Sequence, residues 1–189
     1  MSHTISVRVM FAVLAMSLTA PVFAAKWRSI TADSSLEFVV TFEGAESTGK
    51  FEAFSAELGF EAESIDTSSL RVIIDVRSAT MSSADLDEAI SEKTWFDSAA
   101  YPQADFNSTM FRQTGKQEFL AQGQVSIKGV ARELVLPLNI SIEGDRMELS
   151  GKVTLSRLDF GIGTGEWESD SSIAHAVDVR FKLLMQKAG

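Results

Sequence analysis

The sequence predicts an all-β fold, an antiparallel barrel with one short helix, from three observations. Apolar and polar residues alternate with a period of two along most of the chain, as in strands that have one buried and one solvent-exposed face. Short turn sequences such as Glu143-Gly144-Asp145-Arg146 separate these segments. One segment changes to helical spacing. About eight or nine antiparallel strands lose their exposed edges most economically by closing into a barrel, and a β-sandwich is the alternative.

The strand predictions follow the alternation in chain order. Each segment places large apolar side chains on one parity, which we assign to the interior, and mostly polar side chains on the other. The interior positions are Leu36, Phe38, Val40, Phe42; Phe54, Ala56, Leu58, Phe60; Leu70, Val72, Ile74, Val76; Phe119, Ala121, Val125, Ile127; Leu134, Leu136, Leu138, Ile140, Ile142; Met147, Leu149, Val153, Leu155; and His175, Val177, Val179, Phe181, Leu183, Met185.

A short amphipathic helix is predicted where the alternation stops, in the segment SADLDEAISEK. Ser82 and Ser83 have the chemistry of a helix N-cap. Leu86, Ala89 and Ile90 then form an apolar stripe at helical spacing. We expect this stripe to lie on the barrel.

Residues 1–24 have the features of a secretory signal peptide. An apolar run covers 9–18, and small residues precede a predicted cleavage site after Ala24. The run is too short for a membrane span, and no later segment has the roughly 20 apolar residues that a span requires. We therefore predict an exported, periplasmic protein with one domain, residues 25–189.

Composition excludes several classes of partner and site. After removal of residues 1–24, 16 basic residues remain against 26 acidic ones, which argues against nucleic acid or an anionic membrane as the main partner. The chain has no cysteine, so disulfides and thiolate chemistry are excluded. His175 is the one histidine after residue 24, which excludes a metal site built from several histidines. No cofactor is predicted.

The glycine-rich run GIGTGEW superficially resembles a nucleotide-binding loop. Such a loop needs a helix that starts at the glycines, and the residues that follow show strand alternation instead. We interpret the run as a loop at the barrel rim. Two carboxylate pairs, Asp85 with Asp87 and Glu166 with Glu168, lack the spacing of a calcium loop and are interpreted as solvated surface.

His175 lies on the apolar parity of the last predicted strand. Catalysis would require an orienting carboxylate and a nucleophile nearby, and Asp178 has the opposite parity. A buried histidine with satisfied hydrogen bonds is the favoured interpretation, and a ligand contact or a titrating role is the alternative.

Six aromatic residues share the inward parity: Phe38, Phe42, Phe54, Phe60, Phe119 and Phe181. In a narrow barrel these rings fill the core, whereas an eight-stranded barrel can also hold one small ligand. An interior of aromatic and aliphatic walls suits a hydrocarbon chain. The alternation does not distinguish a hollow interior from a filled one.

The order of motifs resembles the YceI-like family of exported lipid-binding proteins over nearly the whole chain after residue 24. The first part of the resemblance is SSLEFVVTFEGAESTGKFEAFSAELGF, in which Gly49 and Phe51 form a G-x-F element. The middle part is SSLRVIIDVRSATMSSADLDEAISEKTWFDSAAYPQADFNST, with Phe96-Asp97, Tyr101-Pro102, Phe106 and Ser108 at motif positions.

Two later motifs complete the resemblance. GQVSIKGVARELVLPL contains Gly129, and LSRLDFGIG contains Arg157, Asp159, Phe160 and Gly161. The chain departs from the family pattern at Lys128, where members often have histidine, and at Ala131, where threonine is usual. Four ordered motifs at compatible spacing are a specific signal, whereas any one alone is weak.

The resemblance implies an eight-stranded lipocalin-like barrel that is closed by a helical segment and holds a polyisoprenoid or similar lipid. It implies that Trp95 and Phe96 turn inward as part of the plug or pocket wall, with Pro102 fixing the return of the chain. The expected lining residues are Phe38, Phe42, Phe54, Phe60, Ile74, Trp95, Phe96, Phe106, Phe119, Leu136, His175 and Phe181.

The leading hypothesis is a non-catalytic periplasmic protein that transports or stores a long apolar lipid, polyisoprenoid or quinone-like. An envelope protein or a second copy of the chain is a further candidate partner. One alternative is a small enzyme for an apolar substrate that uses His175 with Asp159 or another carboxylate. The other is a filled-barrel interaction module of the cell envelope with an acidic surface.

Overall fold

A computed structural model describes residues 25–188 as an antiparallel barrel with a short helix across one end. The predicted signal peptide lies outside the described residues. The strands are β1 Ala25–Ser29, β2 Ser35–Phe42, β3 Ala45–Phe51, β4 Phe54–Phe60, β5 Ser69–Asp75, β6 Ala79–Thr80, β7 Gln103–Gln113, β8 Glu118–Ile127, β9 Val130–Glu143, β10 Arg146–Ser156 and β11 Ile173–Lys187. The helix α1 spans Ala84–Ser91, and 3₁₀ turns lie at Thr31–Asp33, Ile65–Thr67, Val76–Ser78, Arg157–Phe160 and Gly165–Trp167.

The barrel closes because eight strands form an unbroken antiparallel ring. Pairing runs in the order β1, β4, β5, β7, β8, β9, β10, β11, and β11 returns to β1. Along the other half of β11, β2 takes the place of β1, with β3 and then β6 beside it. Strands β1 and β2 are therefore two halves of one bent strand, as are β3 and β4. The predicted barrel with a short helix is confirmed, and the β-sandwich alternative is wrong.

Hydrogen bonds to β11 hold the bend between β1 and β2. The amide of Ile30 donates to Leu184 O at 2.7 Å, and the amide of Leu184 donates to Ser34 Oγ at 3.0 Å. These bonds satisfy backbone groups that the interrupted ladder leaves without strand partners. One long strand can thus pair with both halves of the bent strand.

Large side chains fill one end of the barrel, where the β4–β5, β7–β8 and β9–β10 connections lie. Phe60 and Phe119 pack edge to face there, with ring centroids 5.5 Å apart. The largest fully buried side chains are Leu58, Leu70, Leu138, Met147, Leu149 and Met185. This half of the barrel is a close-packed core.

The helix α1 crosses the other end and is fastened to the strand before it by a carboxylate. Asp87 accepts hydrogen bonds from Thr80 Oγ1 at 2.8 Å and from the amide of Met81 at 2.6 Å. Ser83 occupies the N-cap position, but its side chain makes no capping hydrogen bond. The predicted helix is confirmed, but the expected serine cap is replaced by the bonds of Asp87 to Thr80 and Met81.

The G-x-F element has a packing explanation. Gly49 pairs with Phe38 across the β2–β3 ladder, and a Cβ atom at Gly49 would clash with the Phe38 ring. The ring of Phe38 therefore lies over the glycine, 5.3 Å from the Phe51 ring and 5.9 Å from the Phe96 ring between centroids. Glycine at this position lets three aromatic rings meet.

Gly49→Ala should lower the free energy of unfolding by about 1–3 kcal/mol, because the added methyl group overpacks the Phe38 ring. Urea denaturation followed by circular dichroism measures this as a lower midpoint at an unchanged slope. Thr48→Ala is the control, since Thr48 is the exposed neighbour in β3. Equal midpoints for the two variants would contradict the packing explanation.

Candidate functional site: an apolar cavity under the helix

A cavity of about 500 Å³ occupies the half of the barrel beneath α1. This volume lies within the roughly 300–1,000 Å³ of typical small-molecule pockets. Leu70 and Leu149 belong both to its lining and to the fully buried core, so they form its floor. The interior is hollow in this half, and the filled-barrel alternative does not describe it.

The cavity walls are almost entirely apolar, because the inward parity of the surrounding strands is occupied by aliphatic and aromatic residues. Such walls offer water few hydrogen-bond partners and stabilise hydrocarbon groups by burial. The strand residues in the walls include Leu36, Phe38, Val40, Phe51, Phe54, Val72, Ile74, Phe106, Val125, Ile127, Leu134, Leu136, Val153, Leu155, Val177, Val179 and Phe181.

The helix and the turn after it form the roof. Leu86, Ala89 and Ile90 all line the cavity, so the apolar stripe predicted for the helix does lie on the barrel. Trp95 and Phe96 follow from the turn, as the resemblance implied. Phe96 completes a ring cluster with two β-strand phenylalanines.

The cavity reaches solvent between the β2–β3 hairpin and α1. Phe42 and Leu86 both line the cavity, and yet they are 44% and 45% exposed. Two large apolar side chains that face both the cavity and solvent mark its mouth. Ser47, on the inward parity of β3, adds a neutral hydroxyl to the lining near Phe42.

Arg157 fixes the loop that forms the rest of the rim. It is only 3% exposed, and its guanidinium donates to the carbonyl oxygens of six residues: Ile162, Gly163, Trp167, Ser169, Ile173 and Ala174. Burial lowers the pKa of the Arg157 guanidinium, and the charge of Asp170 acts in the opposite direction. An arginine has five N–H donors, and all are engaged in this loop. The loop places Trp167 with its ring centroid 5.9 Å from that of Trp95.

The family model of the YceI-like domain matches residues 27–185. The chain belongs to the YceI-like family. Among curated relatives, UPF0312 proteins from Pseudomonas syringae pv. tomato and Pseudomonas savastanoi pv. phaseolicola are each 30% identical over 120 residues. These alignments cover 60% of this chain and 62% of each relative, less than two thirds of the relatives' own length.

Solved structures show the same barrel. BcnA from Burkholderia cenocepacia is 29% identical, with a TM-score of 0.81 over 82% of this chain and 98% of its own. A polyisoprenoid binding domain from Saccharophagus degradans is 15% identical, with a TM-score of 0.69 over 87% and 99% of the two chains. The Campylobacter jejuni YCEI protein is 18% identical, with a TM-score of 0.68 over 77% and 86%. The last two share the fold with this YceI-like chain.

Most of the residues expected to line the pocket do face this cavity. They come from seven different segments of the chain, brought together by closure of the barrel. The nine are Phe38, Phe42, Phe54, Ile74, Trp95, Phe96, Phe106, Leu136 and Phe181.

Three expected lining residues lie elsewhere. Phe60 and Phe119 have the inward parity but belong to the filled end, because parity fixes the face of a strand and not the height along the barrel axis. The expectation for His175 fails for another reason. A register shift between Ile173 and Val177 interrupts the pairing of β11 with β2 around His175, which is half-buried. His175 Nε2 donates to Glu168 O at 2.8 Å, so its expected place in the apolar interior is wrong.

The glycine-rich run is a rim loop, as predicted. Gly161, Gly163 and Gly165 have φ values of 64°, 68° and 71°, in the left-handed region that favours glycine. A three-residue 3₁₀ turn follows, without the helix N-terminus that a dinucleotide loop needs. The motifs predicted neither the role of Arg157 as the organiser of this loop nor the place of Trp167 in the cavity lining. The one sequence feature that could have indicated the role of Arg157 is its position as a lone arginine at the end of an alternating strand.

Lys128, the departure from the family pattern, joins three segments at the cavity end. Its Nζ donates to Lys93 O at 2.8 Å and to Gly161 O at 2.7 Å. Partial burial lowers the pKa of the Lys128 ammonium, while the charge of Asp97 acts to raise it. Lys128 is not part of the cavity lining, and its ammonium holds together the loops around the cavity.

Two further classes of feature are not found in residues 25–188. No group of three or more histidine, aspartate or glutamate side chains there is arranged to hold a metal ion. No helix in that range has the length and apolarity needed to cross a membrane.

Arg157→Met should lower the free energy of unfolding by about 3 kcal/mol, because it removes the donors for six carbonyl groups, three of them in buried hydrogen bonds. Arg157→Lys should lose less, since an ammonium restores three of the five donors. Urea denaturation measures both. Arg112→Met is the control at an exposed position on β7. If Arg157→Met loses no more unfolding free energy than the control does, Arg157 does not hold the rim loop in place.

Proposed function

We propose that this protein binds one long apolar molecule, a polyisoprenoid or quinone-like lipid, in the barrel cavity and transports or stores it in the periplasm without altering it chemically. The observation that carries the proposal is the hollow half of the barrel, with apolar walls and a mouth at Phe42 and Leu86. A filled core has no such space, and a catalytic pocket needs converging polar groups that these walls do not provide.

Burial of hydrocarbon supplies enough free energy for tight binding. One isoprene unit removes about 100 Å² of apolar surface from water, worth about 2.5 kcal/mol before ordering costs. The burial of several isoprene units therefore supplies more than the roughly 8 kcal/mol of binding free energy that corresponds to a micromolar dissociation constant. Tight binding therefore requires no hydrogen bond to the ligand.

Two further observations support the proposal. The neighbour from Saccharophagus degradans is a polyisoprenoid binding domain, and its barrel is superimposable on most of this chain. The predicted signal peptide supports a periplasmic location. The enzymatic alternative depended on His175, whose ring lies outside the cavity and bonds to a backbone carbonyl.

Organic extraction of the natively purified protein, followed by mass spectrometry, tests the ligand class. We expect a long apolar molecule in near-stoichiometric amount, because water fills an apolar cavity poorly. Protein that has been stripped of ligand should take the extracted molecule back. An empty extract together with no uptake of added polyprenol or quinone would contradict the proposal.

Phe42→Asp should weaken lipid binding about tenfold or more, because a charge replaces an apolar side chain at the mouth. The free energy of unfolding should change little, since Phe42 is already 44% exposed. Tryptophan fluorescence titration measures binding, as Trp95 and Trp167 line the cavity. Val135→Asp is the matched control, because Val135 is 49% exposed but lies outside the cavity lining. Equal affinities of the two variants would show that the mouth lies elsewhere.

A further inference from the structure

We propose that the cavity selects lipids whose polar end is uncharged or cationic and rejects those that end in a phosphate or a carboxylate. This inference rests on the proposed function and adds the chemical class of the ligand's polar end. Two independent features carry it: the polar groups inside the cavity, and the charges on the loops around its mouth.

Among the described residues that line the cavity, no cationic side chain has a free N–H donor for an anionic ligand. Arg157 contributes to the lining, but its five N–H groups are donated to six backbone carbonyl oxygens. The negative ends of those carbonyl dipoles surround the guanidinium charge. The other lining residues with hydroxyl or carboxylate side chains are Ser47, which is neutral, and Asp105, whose carboxylate is on the outer parity of β7 and accepts a hydrogen bond from Asn107 Nδ2 at 2.6 Å. An anionic group buried here would remain without a counter-charge, which is strongly unfavourable.

Around the mouth, acidic residues greatly outnumber bases. The five connections at the cavity end are residues 43–44, 76–78, 81–102, 128–129 and 157–172. They hold ten of the 26 acidic residues in the described part of the chain, and four of its 16 bases. Lys128 and Arg157 donate to backbone carbonyls, and Arg77 pairs with Asp75 at 2.8 Å. Exposed acids in these connections include Glu43, Asp85, Glu166, Glu168 and Asp170.

Both orientations of a bound lipid therefore disfavour an anionic end. If the polar end enters first, it lies among apolar walls that offer no free cationic donor. If the hydrocarbon enters first, the polar end remains at the mouth, where like charges repel it. An alcohol or a quinone meets neither penalty, and a cationic amine avoids the repulsion when it remains at the mouth. The Ser47 hydroxyl provides a neutral hydrogen-bonding group near the mouth.

Binding of geranylgeraniol and geranylgeranyl phosphate to the stripped protein, followed by tryptophan fluorescence at low salt, tests the inference. We expect the phosphate to bind at least tenfold more weakly, with a smaller difference at high salt because mobile ions screen the rim charges. A difference below tenfold at low salt would overturn the inference and leave the proposed function standing. Failure of both probes to bind would overturn the proposed function, and this inference with it.

A gain-of-function variant gives a second readout. Ser47→Lys places an unengaged ammonium at the lining and should narrow the preference for the alcohol at least threefold. Thr48→Lys is the matched control, because it adds the same charge to the next residue of β3 but outside the cavity lining. If Ser47→Lys does not fold by circular dichroism, the double variant Glu43→Gln with Glu168→Gln should narrow the preference instead. Unchanged preference in the folded variant, or equal narrowing by Thr48→Lys, would overturn the inference.

Discussion

The structure depends on the closure of eight antiparallel strands around an interior that their side chains fill only in part. Closure satisfies the backbone groups of the ring and leaves it without open edges. It requires two of the strands to bend, and Ser34 supplies a side-chain bond where the β1–β2 ladder is interrupted. Given that ring, the difference between its two halves follows from side-chain position. Phe60 and Phe119 meet at one end, while at the other end the walls stand apart beneath α1.

The hollow half is stable because its rim is built from backbone groups and engaged cations. Arg157 binds four carbonyl oxygens of the β10–β11 connection and two at the start of β11, and Lys128 ties that connection to the turn after α1. Asp87 fastens the helix to β6. These contacts lie around the cavity and leave its walls apolar. The charged residues that a sequence search would examine first for ligand binding are thus occupied in holding loops.

This division of roles explains how a strongly acidic protein can have an apolar cavity. The interior parity of the strands carries the hydrocarbon walls, and the outer parity and the connections carry the charge. Surface ion pairs such as that of Asp178 with Lys152, at 2.6 Å, lie on the outer face of β10 and β11. Hydrogen bonds from Lys152 and Thr154 hold the pKa of Asp178 below its usual value, so this carboxylate remains ionised in more acidic solution than an unpaired aspartate does.

The sequence by itself determined the fold class, the short helix and the identity of most wall residues. A period-two pattern specifies which face of a strand is buried, and Phe38, Phe54 and Phe181 needed no more than that. The tertiary structure decided where along the axis each inward residue lies, which is why Phe119 belongs to the core and Leu136 to the cavity. It also decided the environment of His175. Assignment of faces by parity assumes unbroken strand pairing, and a register shift between Ile173 and Val177 interrupts the pairing of β11 with β2. The role of Arg157 emerged only from the fold, because its partners are backbone carbonyls, which every sequence contains and only a folded loop can bring to one point.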